Sequence, residues 1–294
     1  MIYQNLTELI GKTPVVKLNK LFKYNNVYAK LEKYNISGSV KDRAVYQILI
    51  DLLINKKIDK GWTIIEATSG NTGISIACLS NYFSLKSIIV MPKTASVQRR
   101  ELIKAYGGEL ILVDGGINEC KIRAQELNQQ IKTSIILNQF ENHKNVEAHY
   151  INTAKEIEND LPNVDVIICG IGSGGTITGI SKYFKYKDVE IIGVEPKESP
   201  LLSKGKYAPH KIQGIGPNII PKILDLSNVS KIKVISYEDS RKSCETLKLV
   251  EGYLVGLSSG AVLEVCQQLL EEKIYEKKNI LLIFPDGGER YSWN

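Results

Sequence analysis

The chain is predicted to be an α/β protein built on parallel sheets, and three observations predict it. Strand-like and helix-like segments alternate from Tyr28 onward, the pattern of parallel strands covered by helices on both faces. The chain has 294 residues, at the ~250–300 limit where a single core stops growing, so two α/β domains are expected. No internal repeat or low-complexity linker divides it, so the domains are expected to be intertwined rather than strung in line.

Taken in order, Ala44, Val45, Ile48, Leu49, Leu52 and Leu53 recur at helical spacing directly after Lys41, which places Lys41 in a helix's first turn. Residues 62–67, 87–91 and 109–113 read as short strands, separated by helices over 73–81 and 97–106. A second block runs from a helix over 146–160 through a strand at 164–169, a helix at 175–184 and a strand at 189–194. It closes with helices over 240–251 and 259–270 and a strand at 279–284.

Bulk composition excludes several classes. With 43% hydrophobic and 24% charged residues there is no signature of disorder. No apolar run approaches the roughly 18 residues of a membrane span, and the start, Met1 to Asn5, lacks a basic segment followed by an apolar one. A cytoplasmic protein that binds no membrane is therefore expected. The net charge of +6 comes from lysines scattered along the chain, with no basic and aromatic stripe for nucleic acid. The five cysteines, Cys78, Cys120, Cys169, Cys244 and Cys266, are widely spaced and mostly among apolar neighbours, which predicts reduced, buried thiols. His143, His149 and His210 are too few and too separated for a metal site, and structural roles are expected for them.

Chemistry concentrates in one lysine and three small-residue loops. Asn35 to Arg43 reads NISGSVKDR; the loops are Thr68 to Gly73 (TSGNTG), Gly170 to Thr176 (GIGSGGT) and Gly256 to Ala261 (GLSSGA). Each loop opens a helix, where free backbone N–H groups and the helix dipole attract phosphate and carboxylate. At the start of its helix Lys41 is biased toward its neutral, nucleophilic amine, although taken alone it reads first as a surface lysine paired with Asp42. Thr68, Ser69, Asn71 and Thr72 combine hydroxyls and an amide suited to gripping a carboxylate, and suited also to capping a helix. The loop at 170–176 has two readings. Its glycines and the hydroxyls of Ser173 and Thr176 suit a phosphate. Gly170, Gly172 and Gly175 also satisfy G-x-G-x-x-G, with Glu195 about 20 residues on as the ribose-binding acid of an NAD site, and on this segment alone that reading is favoured. That rival leaves the lysine motif and the other two loops without a role.

Together the four segments resemble the cysteine synthase (O-acetylserine sulfhydrylase) and cystathionine β-synthase family of pyridoxal-phosphate enzymes. Asn138 to Asn142 (NQFEN), Ala148 to Tyr150 (AHY), Pro209 to Gly216 (PHKIQGIG) and Pro285 to Tyr291 (PDGGERY) extend the match over almost the whole chain. The resemblance implies two intertwined three-layer αβα domains of the tryptophan synthase β-like fold. Residues 35–145 would form a smaller, mobile, substrate-gripping domain, and 1–34 with 146–294 a larger one that anchors pyridoxal 5′-phosphate. It implies that Lys41 is the cofactor lysine and catalytic base, that Gly172, Ser173, Gly174, Gly175 and Thr176 hold the cofactor phosphate, that Asn71 bonds the ring hydroxyl and that Ser258 faces the pyridine nitrogen. Thr68, Ser69, Thr72 and Gln139 would bind the substrate carboxylate. Asp42 and Arg43 read as an architectural pair.

The implied activity is β-replacement on a serine-derived amino acid through an α-aminoacrylate, by default O-acetyl-L-serine plus sulfide giving L-cysteine and acetate, in a homodimer without a metal. A serine at the ring nitrogen leaves it largely neutral, which favours prompt loss of a β-substituent over transamination. Departures fall on the substrate side. Ile36 and Ser37 stand where the family commonly has Pro-Gly, Lys93 Thr94 Ala95 Ser96 replaces Glu-Thr-Met-Ser, and Pro217 Asn218 follows Gly216. The sequence given ends soon after Tyr291, without the family's usual tail. An enzyme that consumes L-cysteine and releases hydrogen sulfide, forming serine, lanthionine or cystathionine, uses the same chemistry. An inactive homologue serving as a binding protein is the remaining alternative, against which the intact Lys41, Asn71, Ser173, Thr176 and Ser258 argue.

Overall fold

A computed structural model describes residues 2–293; Met1 and Asn294, the ends of the larger expected domain, lie outside the described residues. In chain order the strands are β1 (Val15–Lys17), β2 (Asn26–Leu31), β3 (Thr63–Ala67), β4 (Lys86–Pro92), β5 (Glu109–Val113), β6 (Ser134–Ile136), β7 (Val166–Gly170), β8 (Glu190–Pro196), β9 (Lys231–Ile235) and β10 (Asn279–Phe284). The helices are α1 (Lys41–Ile54), α2 (Asn71–Tyr82), α3 (Val97–Ala105), α4 (Ile117–Gln130), α5 (Lys144–Ala148), α6 (Ala154–Asp160), α7 (Gly175–Tyr183), α8 (Leu201–Lys204), α9 (Tyr237–Glu251) and α10 (Leu257–Leu270). The chain divides into two compact units. One holds the residues up to Val40 with Val146–Glu289, the other Lys41–Asn145 with the residues from Arg290 on.

The first unit carries a six-stranded sheet in the order β1-β2-β10-β7-β8-β9, parallel throughout except for the antiparallel edge strand β1. Its inner strands β7 and β10 read VIICG and NILLIF and are buried almost end to end, as strands covered on both faces must be. Ile167 and Cys169 of β7 and Leu281 and Ile283 of β10 share a cluster with Ile157 of α6, Ile177 and Ile180 of α7 and Phe184, which caps α7. Alternate residues of those strands point to the opposite face, where α10 packs on β7 and β10. Lys30 of β2 is fully buried. Its ammonium is held by the Thr13 carbonyl at 3.0 Å and by Glu156 at 2.9 Å and Asp160 at 3.6 Å, both on α6.

The second unit carries an all-parallel four-stranded sheet, β5-β4-β3-β6. Ile65, Ala67, Ile88 and Val90 pack on Cys120, Ala124 and Leu127 of α4, an i, i+4, i+7 stripe, while α2 covers the other face.

Two differences from the expected elements have physical causes. The helix expected over 146–160 is broken by a π-turn at His149–Thr153 between α5 and α6, which apolar periodicity alone does not reveal. Strands β1, β6 and β9 and helices α4 and α8 are additional. The lysines of β9, at the sheet edge, disguise its alternation, and α4 buries only three side chains. Among the described residues, no helix is long and apolar enough to cross a membrane.

Candidate active site

In the second unit the loop expected to grip a carboxylate forms the start of α2. The Gly70 amide donates to Thr68 Oγ1 at 3.2 Å, and Gly70 is the extended residue before the helix. Gly73 is a packing requirement, since a Cβ there would lie 2.8 Å from Ile89 Cγ2 of β4. Thr72 Oγ1 donates to Gln139 Oε1 at 2.8 Å, both residues being buried; two expected substrate residues 67 positions apart thus meet directly. Ser69 and Asn71 are bracketed from beyond the loop. Arg99 donates to the Ser69 carbonyl at 3.3 Å and lies 4.8 Å from the centre of the Tyr291 ring, and Arg290 donates to Asn71 Oδ1 at 3.0 Å. A guanidinium only donates, so it selects the oxygen of the Asn71 amide and turns the amide's donor end away from itself.

Lys41 is half-buried at the first position of α1. The next residue, Asp42, is fully buried and accepts from Ser75 of α2 at 2.6 Å, tying the lysine's helix to the helix of the Thr72 loop.

In the first unit β7 runs into the glycine loop and α7 begins at Gly175, after Gly174 in the left-handed region at φ 87°. A Cβ on Gly172 would lie 2.4 Å from the Gly214 carbonyl oxygen, and one on Gly170 2.6 Å from Ile215 Cγ2. The 214–216 segment is bonded on at Gly216, whose amide donates to the Ile171 carbonyl at 2.9 Å. Ser258 sits in the first turn of α10, with Gly256 rather than a serine as the cap, and its hydroxyl would lie 3.8 Å from a Cβ on Gly214. Thr176 Oγ1 is 3.2 Å from His149 Nε2, and His149 Nδ1 is 2.9 Å from Thr153 Oγ1. The π-turn thereby aims His149 at the expected phosphate loop. Gly179 allows this, because a Cβ there would lie 2.6 Å from His149 Cβ.

These residues fit a phosphate. The first turns of α2, α7 and α10 carry no acidic side chain, Ser173 and Thr176 place hydroxyls beside the backbone amides of the loop that opens α7, and Gly172 and Gly174 pack so closely on Gly214 and Leu224 that the loop's backbone admits no side chain there. The dinucleotide alternative loses its acid. Glu195 is buried and accepts from the Leu202 and Ser203 amides, each at 2.9 Å, so both carboxylate oxygens are committed to the start of α8. No cluster of three or more His, Cys, Asp or Glu able to hold a metal occurs among the described residues. Four of the five cysteines are buried as expected and Cys78 is half-buried; burial pushes the Cys78 and Cys120 thiols up to about 11 and that of Cys244 up to about 12, which disfavours their thiolates. The positive charge introduced at Lys93 is met by Asp114 at 2.7 Å on the exposed surface, and Ala95 turns its carbonyl to Arg100 at 2.9 Å.

Three contributors escaped the motif reading: His149 as the partner of Thr176, Arg290 as the partner of Asn71, and Glu66. The last is buried in the middle of β3, and its carboxylate accepts from the Asn138 amide at 2.8 Å and the Gln139 amide at 3.4 Å. Its one legible signal is an acid inside the apolar strand TIIEA.

The chain is similar to known proteins over nearly its whole length. It is 42% identical over 295 residues to cysteine synthase B of Campylobacter jejuni, covering 99% of this chain and 97% of that one. Among solved structures it matches a hydrogen sulfide-producing enzyme of Fusobacterium nucleatum with TM-score 0.95 and 40% identity, covering 99% of this chain and 100% of that one. It also matches a cysteine synthase of Entamoeba histolytica with TM-score 0.94 and 36% identity, covering 99% and 89%. The model of the pyridoxal-phosphate dependent enzymes matches residues 6–286, and the chain belongs to that family.

Proposed function

We propose that this protein is a cysteine synthase, converting O-acetyl-L-serine and sulfide to L-cysteine and acetate. The observation that carries it is the union, in one chain, of a full-length likeness to cysteine synthases with a phosphate-ready loop at the start of α7. Pyridoxal phosphate, when bound, supplies an electron sink for breaking bonds at the substrate's α and β carbons. Lys41 would hold the cofactor, and its Nζ would take the substrate's α-proton and return it. Ser173, Thr176 and the amides around Gly172, Gly174 and Gly175 bind the phosphate. Asn71 would bond the ring hydroxyl, and Ser258 would offer the pyridine nitrogen a hydroxyl rather than a carboxylate. Thr68, Ser69, Thr72 and Gln139 orient the substrate carboxylate. The unit built on Lys41–Asn145 grips the substrate and the other anchors the cofactor; the enzyme works as a homodimer in the cytoplasm.

A second reading, consumption of L-cysteine with release of hydrogen sulfide, is favoured by the likeness to the hydrogen sulfide-producing enzyme of Fusobacterium nucleatum. Product analysis separates the two. The purified protein is given O-acetyl-L-serine with sulfide and, separately, L-cysteine with water or a thiol. A kcat/KM higher by about tenfold, or 1.4 kcal/mol, for forming cysteine and acetate supports the synthase. The reverse order supports the sulfide-releasing activity.

A further inference from the structure

Asn71 is the first residue of α2, directly after the cap Gly70. Its side-chain oxygen is taken by a residue 219 positions away along the chain, Arg290, whose Nη1 donates to Oδ1 at 3.0 Å. Arg290 is only 4% exposed. The next residue, Tyr291, carries the guanidinium of Arg99 over its ring at 4.8 Å from the centre, and Arg99 donates to the Ser69 carbonyl at 3.3 Å. Residues 290–291 thus hold the loop at two points, at Asn71 through a side chain and at Ser69, by way of Arg99, through the backbone.

A guanidinium has donors only and keeps its charge throughout the pH range of a folded protein, whereas an asparagine amide has one donating and one accepting end. The bond therefore admits a single orientation of the amide. With Oδ1 committed to Arg290, Nδ2 is the opposite end, and Nδ2 can only donate. Reversed, the amide would set N–H groups against N–H groups and leave a buried charged donor unmatched, which is costly where the local dielectric is low.

We propose that Arg290 is a positioning residue that fixes the orientation of the Asn71 amide, so that Asn71 meets the ring oxygen of pyridoxal phosphate as a hydrogen-bond donor. This deepens the proposed function and rests on it, since Asn71 is taken to bond the ring hydroxyl. Arg290 acts through Asn71 alone, so its effect vanishes where residue 71 has no amide to orient.

The test uses the full chain freed of cofactor and two probes, pyridoxal 5′-phosphate and the analogue with hydrogen in place of the ring hydroxyl. Both dissociation constants are measured by fluorescence titration. The readout is their ratio, the preference for the ring hydroxyl, which a general loss of stability does not move. In Arg290→Gln the donor-only partner becomes an amide that can bond either end of Asn71. The preference should fall about fivefold or more, roughly what one hydrogen bond contributes. Asn71→Ala should lower it as far, and adding Arg290→Gln to Asn71→Ala should lower it no further. Asn71→Asp decides the matter if Arg290→Gln does not fold. Facing the guanidinium, the new carboxylate should keep the melting temperature near or above that of wild type, yet lose the preference because it cannot donate. A wild-type preference in folded Arg290→Gln, a further fall in the double variant, or a melting temperature of Asn71→Asp well below wild type overturns the role of Arg290 alone. Equal affinity of the wild type for both probes overturns the placement of Asn71 at the ring hydroxyl, and the inference with it.

Discussion

At the scale of single residues, three substitutions separate chemistry from architecture. Lys41→Ala removes the group proposed both to hold the cofactor and to move the α-proton, so turnover should fall by at least the ~10²–10⁴ of one acid/base group. Steady-state rates within tenfold of wild type would sink that role. Thr176→Ala should weaken retention of pyridoxal phosphate by about 1.5–3 kcal/mol, the range for a hydrogen bond to a charged group, read as the dissociation constant after dialysis; unchanged retention would remove Thr176 from the phosphate site. Glu66 gives a pH signature. Burial pushes its carboxyl from an ordinary 4.5 up to about 7, against the opposing pull of the Asn138 and Gln139 amides, the Gln139 side chain and Lys121. The folded protein therefore holds a proton that the unfolded chain releases. The stability this contributes is complete below about 4.5 and is lost as pH rises through about 7, a swing of roughly 3 kcal/mol at most. Urea unfolding of Glu66→Gln across pH 4–8 should show that slope gone relative to wild type.

At the scale of elements, α2 and α7 each start just after a parallel strand, β3 and β7, and glycines decide how closely the helices of each unit pack. Gly260 shows this away from any proposed ligand. A Cβ there would lie 2.2 Å from the Ser240 carbonyl oxygen and 2.4 Å from Cys244 Sγ, where α9 crosses α10. Gly260→Ala gains about 1 kcal/mol of helix propensity but forces α9 away at a cost of about 1–3 kcal/mol. Because the backbone oxygen of Ser240 cannot swing aside as a side chain would, the net effect should be a lower melting temperature. A variant as stable as wild type would show that α9 yields easily. The same crowding explains Gly179, where α7 lies against the π-turn that delivers His149 to Thr176.

At the scale of the whole molecule, cofactor binding should appear as stability. A group that binds only the folded chain adds RT ln(1 + [L]/Kd), about 2.7 kcal/mol at a hundredfold excess over Kd. Stripping pyridoxal phosphate from the purified protein should lower its melting temperature, and restoring it should raise the temperature again. Inorganic phosphate alone should recover part of the rise if the α7 loop binds the phosphate. A melting temperature indifferent to the cofactor would contradict cofactor binding at the folded chain.

The sequence by itself determined what depends on neighbours along the chain. The alternation of apolar strands with helices, the helix starting at Lys41, the three loops that open α2, α7 and α10, and the motif order from Asn35 to Tyr291 all rest on local periodicity and on small residues next to helix starts. Tertiary structure decided the pairings between residues remote in sequence. Thr72 meets Gln139, Asn71 meets Arg290 219 positions away, and His149 reaches Thr176 across a π-turn. The same is true of Glu195, which fits a ribose-binding acid by spacing alone but is bonded to the amides of Leu202 and Ser203. A hydrogen bond depends on where two chain segments lie in space, and spacing along the sequence carries that information only within a single turn or strand.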